Sequence, residues 1–490
     1  MTTTTDEREA PPRSSGIDRF FKITERGSTL GAEIRGGLVT FFAMSYIIIL
    51  NPIILGTAPD GTGQFLGGGT DGANFPMIAA TTALVAGIMT IAMGVFANYP
   101  MALAAGLGLN AVVAFTIASI PEVTWADAMG IVVIEGLIIL VLVLTGFREA
   151  VFRAVPVELK TAISVGIGLF IALVGLVNAG FVAAGGGTPL QLGATGSLAG
   201  WPILVFVIGL VLMIVLWVRK VRGAILISIL AATVVAVVIQ AVAGVGTKGG
   251  GAANGWSLNA PELDGSPVAV PDFGLLGQFS LLGSIEKVGI VTVVLLVFSL
   301  LLADFFDTMG TMVAVGAEGK LLDETGNPPK SRAILIVDSV AAAAGGAASV
   351  SSNTSYVEST TGVGEGARTG LAAVVTGIAF LLATFLSPLV ALVPSEAAAP
   401  ALVLVGFLMM TQITGIKWTN VEVAIPAFLT IALMPFTYSI TAGIGAGFLA
   451  FVVIKLALGK IKAIHPLMWV SAVAFIIYFT LDPISDALGV

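Results

Sequence analysis

The chain has no cysteine and a single histidine, His465. Those absences exclude disulfides, thiolate metal sites, CxxC redox motifs and histidine metal clusters. Charge is scarce as well: 10% of the 490 residues are Asp, Glu, Lys or Arg, against roughly 25% in soluble domains. A soluble core of this size would need a polar surface that the sequence cannot supply. There is no GxxxxGK[ST] phosphate loop and no nucleophile beside a histidine base. No catalytic residue, no metal and no cofactor are therefore expected, and no nucleic-acid partner.

What is present is apolar sequence. Hydrophobic residues make up 57% of the chain, and the mean hydropathy is +1.04. Runs of about 20 apolar residues, the length that crosses a ~30 Å hydrocarbon core, recur from end to end. The pattern predicts an all-α polytopic membrane protein with the bilayer as its partner. Segments are read at 36–55, 77–97, 103–118, 127–146, 160–182, 201–218, 222–243, 288–311, 333–350, 369–392, 398–414, 420–436, 438–457 and 466–482. A short polar one lies at about 354–367.

Basic residues alternate between connections. Arg8, Arg13, Arg19, Lys22, Arg26 and Arg35 lie in the N-terminal tail; Arg148, Arg153 and Lys160, then "RKVR" at 219–222, Lys320, Lys330, Arg332, Arg368, Lys455, Lys460 and Lys462 follow alternate segments. This asymmetry places the N-terminus, a polar tail over 1–30, in the cytoplasm, and localises the chain to the cell membrane as a multi-pass protein. The alternation holds only if the polar segment counts as a crossing. The Gly- and Pro-rich connection 244–287 then divides seven spans (31–243) from seven more (288–482), with 483–490 as a C-terminal tail; whether the last segment crosses is left open. "GLVT" at Gly37 and "GIVT" at Gly289 open the two halves as a faint echo. An odd number of spans per half makes such repeats inverted.

The third crossing of each half is a poor lipid-facing helix. "YPMALAAGLGLNAVVAF" carries Pro100, Gly106, Gly108 and a mid-depth Asn110; its counterpart "SSNTSYVESTTGVGEGARTG" carries Asn353, Tyr356 and Glu358. Interrupted segments at matching positions point to a transporter's site. The eighth span adds Asp304 and Asp307, three apart and so on one helical face. An ionised carboxylate at mid-bilayer costs about 2.5–3.5 kcal/mol even on the lenient insertion scale. Glu135 and Asp338 are embedded too, with packing and function both open. Lys160 reads as snorkelling to the interface, His465 as an interfacial loop residue, and the many Gly and Ala as close helix-packing surfaces.

"ADFFDTMGT" (303–311), "SNTSYVESTTGVGEGARTG" (352–370), "GGLVTFFAMSYIIILNP" (36–52) and "AIPAFLTIALMPFTYSITAGIGAGF" (424–448) resemble the AzgA-type purine permeases. These belong to the nucleobase–cation symporters of the uracil- and xanthine-permease superfamily. The likeness runs from about residue 20 to 482, with "NTSY" standing where many relatives carry a run of threonines. It implies a 7+7 inverted-repeat transporter of about 14 transmembrane segments. Core spans (36–146 and 288–392) would move against gate spans (160–243 and 398–482), and short strands would precede half-helices 3 and 10. It further implies import of hypoxanthine, guanine or adenine with a proton, in preference to sodium, by a chain that dimerises through the gate. By position Glu358 matches the span-10 carboxylate, Asn110 the span-3 polar residue, and Asp304 or Asp307 the span-8 acid.

The chemistry is consistent with that resemblance. A carboxylate accepts N–H groups from a purine edge, in charge-assisted bonds roughly twice as strong as neutral ones, and an amide offers both donor and acceptor. Backbone N–H groups around Gly106 to Gly108 and Val357 to Glu358 can meet purine oxygens. Phe305, Phe306, Tyr356 and Phe42 are all candidates to stack on the ring. Asp304, Asp307 and Glu358 can also carry the proton. An anionic substrate on the same architecture would be repelled by three acids, and a channel would need rings of charge or carbonyls along a pore.

Overall fold

The computed structural model describes residues 16–146, 155–185, 188–194, 196–248, 251–252, 254–263, 265–324 and 327–488, the side chains of 306 and 481–488 excepted. Arg8, Arg13, Arg148 and Arg153 lie outside the described residues. Helix α1 (Gly16–Phe21) leads to α2 (Leu30–Met44), capped by Thr29, whose hydroxyl accepts the Ala32 N–H. Helix α3 (Ile47–Gly56) continues the crossing after a break at Ser45 and Tyr46. Pro52 lies inside α3 and cannot donate to the Ile48 carbonyl one turn back. Helix α4 (Phe75–Ala92) runs on through a π turn to Ala97. Strand β1 (Leu103–Ala105) precedes α5 (Leu107–Val112), itself prolonged by a π turn to Ile117. Helix α6 (Trp125–Thr145) starts at a capping box between Thr124 and Asp127. Helix α7 (Val157–Asn178), a small strand pair β2 (Val182–Ala183) and β3 (Gln191–Leu192), α8 (Trp201–Val218) and α9 (Ala224–Ala243) complete the first half.

The second half begins with α10 (Gly283–Glu318), broken where Gly289 takes φ +77°. It continues through α11 (Ser331–Ala347), β4 (Asn353–Ser355), α12 (Ser359–Gly364) and α13 (Gly370–Ala383), which a 3-10 stretch extends to Leu392. Helices α14 (Ser395–Met410), α15 (Val421–Thr437), α16 (Ile440–Ala457) and α17 (Pro466–Leu488) follow. Among the described residues ten spans are long and apolar enough to cross a membrane. Counting each strand with its short helix as a crossing, α2–α3 to α9 give seven and α10 to α16 seven more.

Gly37 and Gly289 have different surroundings. Gly37 lies within α2, where a Cβ would stand 2.5 Å from the Ala372 carbonyl oxygen, whereas Gly289 has open space and a left-handed φ that breaks its helix. Lys160 lies in the first turn of α7 and is buried.

Strands β1 and β4 pair antiparallel, Leu103 opposite Ser355, Ala104 opposite Thr354 and Ala105 opposite Asn353. Both are wholly buried. A strand at membrane depth survives only where protein satisfies its backbone. Here the Thr90 hydroxyl of α4 lies 2.9 Å from the Leu103 N and 3.0 Å from the Leu103 carbonyl oxygen, and the Gly106 N–H donates to Ser352 O at 3.0 Å. Around this pair, α6 packs on α10 and α11, α13 on α2 and α4, and α12 on α2. Helix α7 packs on α14 and α15, α8 on α9 and α14, and α15 on α16.

Candidate functional site

The two strand ends bring the expected residues to one place. β4 leads through Tyr356 and Val357 to Glu358, at the start of α12. The Tyr356 N–H donates to Ala102 O at 3.0 Å, and its hydroxyl donates to Ala105 O at 2.5 Å. The ring is therefore pinned against β1. Ser359 accepts the Ala102 N–H at 3.0 Å. These bonds fix the backbone on either side of Glu358, whose own side chain is half-buried. Tyr46, at the break between α2 and α3, donates its hydroxyl to Glu358 Oε1 at 2.5 Å.

The two α10 acids divide. Asp307 is exposed and lies within electrostatic reach of Glu358, Tyr46 and Tyr356. Asp304 is fully buried, and neither of its carboxyl oxygens has a hydrogen-bond partner among the described residues. Three residues turn a helix by about 300°, which leaves the two side chains about 60° apart. That angle is enough for one to look at α12 and the other at α6 and α11.

Asn110 of α5 is fully buried and donates to Asn51 Oδ1 at 2.6 Å. Asn51, on α3, passes the chain on to Thr82 Oγ1 at 2.8 Å and Val350 O at 3.2 Å. The Asn110 Oδ1 has no partner. Gly108 is half-buried against α7, where a Cβ would stand 2.9 Å from Ile167 Cγ2. Val357 is half-exposed and Phe305 buried. Phe42 is exposed on α2 with its ring edge-on to Phe41 at 5.4 Å. The Phe306 side chain lies outside the described residues.

Sequence reasoning missed Tyr46 and Asn51. Both had a signal: a phenol and an amide inside an otherwise aliphatic run, with Pro52 marking the helix as irregular. A cleft of about 330 Å³ lies elsewhere, lined by Gly180, Ser197, Lys248 and Asn254 of the connecting loops. It holds no carboxylate, and the paired strands lie outside it.

A membrane bundle built on two strand–helix units, with acids and amides gathered at their junction, defines a transporter. A profile described as "Permease family" matches residues 31–446, and the chain belongs to that family; it is a multi-pass membrane permease and not an enzyme. It is 40% identical to the guanine/hypoxanthine permease PbuG of Bacillus subtilis (strain 168), over 94% of this chain and 98% of the relative. It is 35% identical to the adenine permease AdeP of Escherichia coli (strain K12), over 94% and 95%. Among solved structures, the transmembrane domain of the cyanobacterial bicarbonate transporter BicA superposes with a TM-score of 0.57 at 15% identity, covering 84% of this chain and 97% of that one. Murine Slc26a9 in its inward-facing state gives 0.58 at 12% identity, over 93% and 74%. The fold is accordingly the 7+7 inverted repeat, with its short strands before half-helices 3 and 10.

Proposed function

We propose that this permease imports purine nucleobases, hypoxanthine, guanine or adenine, in symport with protons. The observation that carries this reading is the opposition of Asp307 and Glu358 across the strand junction, one exposed and one half-buried. Two acceptor carboxylates suit a planar solute rich in N–H donors. The relatives' purine substrates support the same choice. Asn110 offers an unpaired amide oxygen on α5, and the backbone N–H groups at Gly108 and Val357 are assigned to purine oxygens. Phe305 of α10 and Tyr356 are assigned to the substrate's ring face; Tyr356, just after β4, also holds that strand's end to β1. Asp304, Asp307 and Glu358 are the proton-carrying groups.

The packing supports a division into a core, α2 to α6 with α10 to α13, and a gate, α7 to α9 with α14 to α16. Rocking of the core past the gate would expose the junction to each side in turn. The N-terminus is assigned to the cytoplasm, the protein to the cell membrane, and the working unit to a homodimer through the gate.

Radiolabelled hypoxanthine, guanine and adenine should accumulate in cells expressing the chain, and Asp307→Asn should abolish that accumulation while the protein stays folded. Normal uptake by the variant would remove Asp307 from the site. A protonophore should collapse uptake and sodium removal should leave it unchanged; the reverse outcome would discard proton coupling. Tyr46→Phe deletes the hydroxyl that holds Glu358 Oε1. A bond to a charged group contributes about 1.5–3 kcal/mol, so apparent affinity should fall roughly tenfold or more. An unchanged KM for uptake would show that Glu358 needs no such positioning.

A further inference from the structure

Three acids from three helices meet beside β4. Glu135 of α6 and Asp304 of α10 are fully buried, and Asp338 of α11 is 3% exposed. Glu135 Oε2 accepts from the Ser352 hydroxyl at 3.3 Å, but Glu135 Oε1 and both oxygens of Asp304 have no donor among the described residues. Asp338 accepts from Thr308 and from Ser355, each at 2.8 Å.

The charged groups that face these acids are themselves acids. Asp304 looks toward Asp338, Glu135 and, a turn along α10, Asp307. Glu135 looks toward Asp304 and Asp338, and Asp307 toward Asp338 and Glu358. The bases on the same helices are engaged elsewhere: Lys287 with Asp127 at 2.6 Å and Arg332 with Leu144 O at 3.1 Å. Strand β4 contributes only hydroxyls and the Asn353 amide. No group of three acids or histidines among the described residues closes round a metal ion.

Asp304 and Glu135 lie close enough to share a hydrogen bond, which needs a hydrogen that neither carboxylate supplies when ionised. Leaving both charged in the buried bundle carries a large desolvation penalty. One proton removes a charge and provides the missing donor together. We propose that Glu135, Asp304 and Asp338 form a proton-binding site beside β4, separate from the substrate-facing acids. The site is wired to the strand. Thr308 bridges Asp338 and the Thr354 hydroxyl, both at 2.8 Å, while Ser352 and Ser355 hang on Glu135 and Asp338. Taking up or losing a proton changes which hydroxyls must donate, and β4 carries that change to Glu358. Use of this proton in coupling rests on the symport reading above; its presence does not.

Infrared spectroscopy of the purified full chain in lipid tests the proton directly, because the carbonyl stretch of a protonated carboxyl is distinct from that of a carboxylate. The wild type should show this band at neutral pH, and Glu135→Gln should lose part of it. If Glu135→Gln does not fold, Asp338→Asn provides the same comparison. Identical bands in wild type and variant would overturn the site, whatever the protein transports. In proteoliposomes Glu135→Gln should lose concentrative purine uptake driven by a pH gradient while retaining purine exchange at equal pH. Concentrative uptake at the wild-type level would overturn the role in coupling, and loss of exchange in the folded variant would return Glu135 to the substrate site.

Discussion

Glu358→Gln is expected to abolish the proposed purine accumulation and to leave a folded, monodisperse protein. The substitution keeps the shape of the side chain and the acceptor that Tyr46 needs, since the amide oxygen can take the same hydroxyl hydrogen. What changes is the other atom, which becomes an NH2 donor facing the N–H edge of a purine. A charge-assisted bond contributes about 1.5–3 kcal/mol, and a donor set against a donor adds a desolvation penalty of about 1–3 kcal/mol. The sum is at least on the order of a hundredfold in Kd. Ligand-induced thermal stabilisation reads this without transport: wild type should shift with hypoxanthine and the variant should not, while their unliganded melting temperatures agree. Equal shifts in both would take Glu358 out of the binding site. A variant that melts early without ligand would show that the carboxylate serves the strand junction and not the solute.

Much of this architecture was legible because the bilayer leaves the backbone few choices. A buried span must satisfy its own hydrogen bonds, so a stretch such as 352–367, too polar and too rich in Gly for a helix in lipid, had to be short, irregular and enclosed. The register Leu103–Ser355 to Ala105–Asn353 was not legible, because three-residue strands carry no period to read. Spacing marks Asp304 and Asp307 as a pair, yet their division between two surroundings depends on how α6, α11 and α12 pack around α10, and local spacing does not contain that. In the sequence only depth marks Glu135 and Asp338; the fold shows that they converge on Asp304. Tyr46 is not legible as a site residue, because a tyrosine among isoleucines looks like core. Its partner lies 312 residues away in the chain.

Replacing Gly370 by leucine is expected to leave no folded protein. Helices α4 and α13 cross at two glycine pairs. A Cβ at Gly94 would stand 2.3 Å from Gly370 O, and one at Gly370 2.0 Å from Gly94 O. Two turns away, a Cβ at Gly87 would stand 2.9 Å from Gly377 O and one at Gly377 2.6 Å from Gly87 O. The obstacles are backbone oxygens, which cannot swing aside as a side chain can, so the helices must separate. In a bilayer that separation removes the close packing that holds helices together, because lipid supplies no hydrophobic drive to restore it. Overpacking a core costs about 1–3 kcal/mol even where side chains yield, and here the whole seam gives way. The effect also spreads. The Gly370 N–H donates to Asn98 Oδ1 at 2.8 Å, and α4 carries the Thr90 hydroxyl that satisfies β1. Moving α13 therefore loosens the strand on which the site is built. Gly31→Ala is the control, since a Cβ there meets nothing within 4 Å; it should retain the wild-type melting temperature and a single peak in size-exclusion chromatography. A Gly370→Leu protein with the same peak and melting temperature would show that the α4–α13 seam tolerates separation and that close approach is not what holds it.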